Sequence, residues 1–229
     1  MRTKSLFATI AAVVGLGVSA TAADAQVCAG FPTLQGQTSV ALSSSFPQDA
    51  DQFGAEASAN FAGPLAVFGG YQRTTSRVQD GQHANTFTAG AALEVSDSFR
   101  GPFQLGLSAC PVVSGSLTRL EGADVWQVPV GVGFGSRIEL DPTGRLEIMP
   151  YVVPQLVWTR VDFDGAPTTG LFDPLFGRQA TLDSRENTEF GVRTGVVVGA
   201  GRFFVGGEFN NVFNDEIGGT FGVKAGVRF

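Results

Sequence analysis

One histidine, two cysteines, two tryptophans and two tyrosines are all that 229 residues contain of those types. Each scarcity closes off a class of chemistry. His83 stands alone, and Cys28 and Cys110 lie far apart, so no set of three or four soft ligands exists for a structural or catalytic metal. Lys and Arg together number 15 against 21 Asp and Glu, a net charge of −6 with no basic run. A nucleic-acid partner needs a positive footprint, and this chain has none. No glycine-rich turn joins a strand to a helix in the manner that cradles phosphate. No apolar run beyond the first 25 residues approaches the ~20 residues that a spanning helix requires. Neither a metal nor a cofactor is expected.

The first 25 residues have their own logic. Met1-Arg2-Thr3-Lys4 is a short basic region, Ser5 to Ala20 carries no charge, and Ala23-Asp24-Ala25 offers a small-x-small cleavage site before Gln26. That is the pattern of a secretory signal peptide. A lipoprotein signal does not fit, because Val27 before Cys28 is not small. Residues 1–25 are therefore read as a cleaved signal. Residues 26–36 form an N-terminal segment, and residues 37–229 the folded domain.

What the chain does have is alternation. Phe221, Val223, Ala225, Val227 and Phe229 are separated by Gly222, Lys224, Gly226 and Arg228. Such a strand turns one face to something oily and the other to something wet. Nine further segments repeat the pattern, near 37–46, 53–61, 65–74, 87–95, 103–110, 126–135, 146–160, 189–199 and 203–210. The count falls to eight if the weakest early segments fail. Gly63-Pro64, 96–102, 138–145 and Ala200-Gly201 read as turns at one rim. Residues 75–85, 117–124 and 161–187 read as longer loops at the other. Short turns on one rim and long loops on the other mark a closed antiparallel barrel in a membrane. A soluble sandwich or barrel shares the alternation but has no reason to sort its loops.

The phase of the alternation sorts charge. Glu56, Glu94, Glu147, Glu189, Arg193, Glu208, Lys224 and Arg228 all fall on the phase opposite the apolar residues, where they form a lumen charge network. Facing lipid, a charge at mid-depth costs ~2–4 kcal/mol, so the pattern defines its own register. The network is structural on one reading and the constriction of a narrow pore on another. Trp126 and Trp158 belong near the long-loop rim, as an interfacial girdle. Cys110 is on the inward phase and Cys28 precedes the first strand. In an oxidising compartment the two are expected to pair, tethering residues 26–36 inside the lumen as a plug. The loop 161–187 carries Leu171, Phe172, Leu175 and Phe176, apolar residues suited to contact a partner. His83, near Ser76 and Asp80, is the only candidate for catalysis, and no motif surrounds it.

Signal, alternation, loop asymmetry and a terminal Phe together resemble the small outer-membrane β-barrel proteins of bacteria, the outer membrane protein A and X kind. The resemblance covers nearly the whole length from Gln26 to Phe229 and is architectural. It implies placement in the outer membrane, contact with its lipid, a monomeric state, and assembly by machinery that reads a C-terminal strand ending in Phe229. Ten segments rather than eight, and no peptidoglycan-binding domain, are departures from the type. The function expected is structural or surface-binding in the cell envelope, adhesin-like, and not enzymatic. A narrow passive pore for small solutes or ions is the alternative. An outer-membrane protease or lipid A-modifying enzyme using His83 is a minor one.

Overall fold

The computed structural model describes residues 30, 37–47, 50–61, 64–77, 83–100, 104–120, 123–141, 145–163, 185–213 and 219–229. Every element in it is a strand: β1 (Thr38–Phe46), β2 (Ala50–Asn60), β3 (Leu65–Ser76), β4 (His83–Leu93), β5 (Val95–Arg100), β6 (Gln104–Leu120), β7 (Ala123–Glu139), β8 (Leu146–Phe163), β9 (Arg185–Ala200), β10 (Phe203–Val212) and β11 (Thr220–Arg228). Apart from β4 and β5, neighbours in sequence pair antiparallel, β1 pairs with β11, and β4 pairs with β6. The sheet therefore closes on itself.

β4 and β5 are two halves of one stave. Both pair with β6 in a single register, Ala92 facing Val112 and Val95 facing Ala109. The interruption falls level with Pro111, which has no N–H to give to a ladder. Counting that stave once, the barrel has ten strands. Followed around the ring, the register returns to β1 displaced along the strand. That stagger accompanies strands tilted ~35–45° to the barrel axis.

The period-two pattern decides which face each residue takes. Leu42, Phe53, Phe87, Val130, Leu156 and Phe209 lie on the outside and are all exposed. Among residues whose side chains are described, charges on that outward phase sit only towards the end where β6 stops and β7 starts. They are Asp51, Arg73, Arg119, Asp124, Arg160, Asp162 and Glu186. The wall between is mostly apolar, with uncharged exceptions such as Ser44 and Thr194.

The strands are longer than the alternation alone suggests. β6 and β7 have 17 residues each, β8 has 18 and β9 has 16, against 9 for β1 and β11. The expected loop at 117–124 is mostly strand, with only 121–122 between β6 and β7, and the expected turn at 96–102 is mostly β5. Among the outer connections only 164–184 is long, so the loop asymmetry rests on that one segment. The reason is physical. Beyond the apolar belt both faces of a strand meet water, alternation vanishes, and polar strand reads as loop. A crossing needs ~9–11 tilted residues, so β6 to β9 rise past the belt as a wall.

Closure depends on the chain ends. Thr38 N donates to Phe229 O at 3.3 Å and Phe229 N to Thr38 O at 2.9 Å, fastening the last residue to the first strand. Between β9 and β10 the chain reverses in two residues, and Gly201 takes φ 61°, a left-handed conformation that glycine adopts without strain. The segment 1–25, Cys28 and the loop residues Leu171, Phe172, Leu175 and Phe176 lie outside the described residues.

Candidate functional site

The site is the inside of the barrel. Side chains there reach from one strand to another over a small residue on the strand between. Tyr151 of β8 faces Gly195 of β9 and passes over it to donate its hydroxyl to Glu208 of β10. A Cβ on Gly195 would stand 2.6 Å from the Tyr151 hydroxyl, so the glycine is what lets the ring through. Glu147, two turns of the pleat below Tyr151 on β8, does the same over Gly199. There a Cβ would lie 2.6 Å from Glu147 Oε1 and 3.2 Å from the Arg228 guanidinium. On the other side Lys224 of β11 passes the small Ala41 and Ser43 of β1 to pair with Glu56 of β2 at 3.2 Å.

These crossings divide the expected single network into two. Near the inner end, Glu147 has no exposed surface and is held from two sides. Arg137 Nε donates to its Oε2 at 2.6 Å, and the Arg228 guanidinium pairs with its Oε1. Arg228 Nε also donates to the Gly201 carbonyl at 2.8 Å, and Arg137 pairs with Glu139 at 3.2 Å. A buried carboxylate is tolerated only with such partners, since an isolated one loses several kcal/mol of hydration. Higher up, the charges of Arg193 and Lys224 act on the Glu208 carboxylate, beside the Lys224–Glu56 pair.

Glu94 and Glu189 lie at other levels of the barrel. Glu94 is buried at the β4–β5 interruption, level with Cys110, and its N–H donates to Pro64 O at 2.8 Å. Glu189 lies high on β9, accepting from Asn187 Nδ2 at 2.7 Å. Arg137, Glu139 and Tyr151 take part in the lumen without having been singled out from sequence. The apolar phase of the sixth alternating segment breaks at Ser136, so Arg137 and Glu139, on the inward phase of the same strand, do not stand out from the sequence. Tyr151 opposite Gly195 becomes legible only once β8 and β9 are in register.

Between the charges the lumen is apolar. Ala41, Met149, Tyr151, Val153, Val197 and Phe204 form one buried cluster. Phe68, Ala92, Cys110 and Val112 form another. Met149, Val153, Val197 and Cys110 are almost without exposed surface, so little of the lumen is open to water at this level.

Outside, Trp126 on β7 and Trp158 on β8 share the outward phase on neighbouring strands, Trp126 facing Arg160 and Val128 facing Trp158. They stand at the border between the apolar belt and the outward charges. Arg160 Nε donates to Asp162 at 2.9 Å there, and Arg77 Nε to Asp51 at 2.9 Å. His83 opens β4 at this rim, exposed and facing Thr75. Phe229 is 68% exposed.

A closed antiparallel barrel that wears its apolar residues outside and its ion pairs inside has the architecture of a transmembrane β-barrel. No family model matches the chain, and no curated protein matches it. Three solved structures similar to it are bacterial barrels. The N-terminal β-barrel domain of Pseudomonas aeruginosa OprF has 11% identity over 85% of this chain and 98% of that one, with a TM-score of 0.39. The Yersinia pestis outer membrane protein Ail has 12% identity over 85% of this chain and 100% of its own, with a TM-score of 0.36. Neisserial surface protein A has 12% identity over 84% and 93%, with a TM-score of 0.28. Little sequence is shared with any of them, and the barrel reading rests on the strand pairing and polarity described above.

Proposed function

We propose that this chain is a monomeric bacterial outer-membrane barrel with a structural or surface-binding role in the cell envelope. The observation that carries it is the polarity of the wall. Exposed valine, leucine and phenylalanine occupy the outside, and described outward charges are confined to one end. Only a solvent as apolar as lipid makes that surface favourable, and only closure satisfies the backbone there. Residues 1–25 would export the chain, and the strand ending in Phe229 would present it to the assembly machinery.

The filled lumen favours this role over a pore. Met149, Val153, Val197 and the paired Glu147 occupy space that a conducting channel would leave to water. The wall of β6 to β9, with the 164–184 connection at its top, is the surface offered to a partner outside the cell. Trp126 and Trp158 would anchor the belt at the lipid–water boundary.

The test is fractionation of cells making the full chain, followed by gel migration before and after boiling. The protein is expected with outer membranes, running faster unboiled because every strand edge is paired. Recovery in the soluble periplasm without detergent contradicts the proposal. A large, steady single-channel conductance of the reconstituted protein would replace the structural role with a pore.

A further inference from the structure

Inward positions of β7 carry no side chain at Gly133 and Gly135, which lie between β6 and β8, whereas at Gly131 a Cβ would meet Gln155 Cβ at 2.9 Å. Cys110 of β6 faces Gly133, and Phe134 facing Val152 sets Gly133 level with Val153. Cys110, Gly133 and Val153 thus form one row, and Tyr151 is the next inward position below on β8. Cys110 is fully buried, and no cysteine is free among the described residues.

Gly30 lies inside the barrel against the hydroxyl end of the Tyr151 ring, which reaches over Gly195 towards β10. It is buried, and a Cβ on it would stand 2.7 Å from Cζ and 2.8 Å from the hydroxyl of Tyr151. Its φ of 80° is left-handed, which again suits glycine. A residue buried against an inward tyrosine is inside the barrel, so the chain ahead of β1 enters the lumen.

We infer that residues 26–36 enter the lumen as a plug, fastened to the wall by a disulfide between Cys28 and Cys110. The distances allow it. Gly30 stands at the hydroxyl end of the Tyr151 ring, in the same lumen that Cys110 faces. Two residues from Gly30 to Cys28 span up to ~7 Å, and a disulfide bridges Cα atoms ~5.5–6 Å apart. Cys110 is not a free thiol, and Cys28 is the chain's one other cysteine. The inference rests on the export in the proposed function, because the envelope beyond the inner membrane oxidises thiols. In forming the bond each thiol gives up one proton and one electron. A dithiol–disulfide exchange protein of the envelope takes both electrons and both protons, and its own disulfide becomes a dithiol.

The experiment uses the full chain purified from membranes without reductant and unfolded in the presence of an alkylating agent. Neither Cys28 nor Cys110 is expected to be alkylated until reductant is added. A linked peptide pair joining the two should be found in a species that runs as a monomer without reductant. Two alkylated thiols, or a bridge joining two chains, overturns the inference. The seat is tested separately by chymotrypsin cleavage after Leu34 in the folded barrel. Protection is expected in the oxidised protein and its loss in Cys28→Ser combined with Gly30→Leu. Equal cleavage of both overturns the plug. The heat-dependent gel shift must survive in these variants, and its absence would instead count against the barrel itself.

Discussion

Glu147 shows how this protein accommodates charge inside a wall that faces lipid. The carboxylate is fully buried, with Arg137 on one oxygen and Arg228 on the other, and Gly199 clears the path between them. Removing it would leave two cations sharing a buried space with no anion. Truncating one partner of a buried pair costs ~3–5 kcal/mol, so Glu147→Ala should lower stability by about that amount. Equilibrium unfolding in urea with lipid present would measure it, and a loss below ~1 kcal/mol would mean that water already screens the pair. The phase of Glu147 was legible in the sequence, because a charge among alternating apolar residues must face away from them. Its partners were not. Arg228 is three strands away around the ring, and only the register brings it over Gly199.

Strand β11 is the element on which closure depends. It pairs with β10 on one side and β1 on the other, and Phe229, the residue that follows it, is bonded to Thr38. Yet Phe229 is mostly exposed on the outer wall, so deleting it removes little internal contact. Burial of a phenylalanine side chain in full is worth ~1.5–3 kcal/mol, and Phe229 has only a fraction of that from protein neighbours. Deletion of Phe229 should therefore leave the folded barrel's unfolding nearly unchanged while sharply reducing the amount inserted in cells. Normal insertion at native expression would show that the terminal aromatic is only one more wall residue. β11 was read from its alternation with the right face inward. β6 looks shorter in the sequence than it is because Pro111 and Gly115 interrupt its outward apolar phase around Val113 and Leu117, and β9 because Glu186 and Thr188 lie where the belt has ended. An alternation detector finds the part of a strand that crosses oil and misses the part that does not.

At the scale of the whole molecule one property organises the rest: the barrel is apolar outside and ion-paired inside. Closure removes every edge, the stagger sets the tilt, and the small inward residues let Tyr151, Glu147 and Lys224 reach across to their partners. That inversion was visible in composition as many short alternating segments and no long apolar run. What filled the lumen was not visible, since a valine at Val153 or Val197 looks the same whether it packs on a neighbour or lines water. The two tryptophans report on the inversion without any change to the chain. Both stand on the outward phase at the border of the apolar belt. Reconstituted into vesicles whose acyl chains carry bromine, the folded protein should lose much of its tryptophan fluorescence. Bromine high on the chains should quench more than bromine near the bilayer centre, and iodide in the water should quench little. Fluorescence untouched by the brominated lipids and quenched by iodide would contradict the account, placing the apolar wall in water.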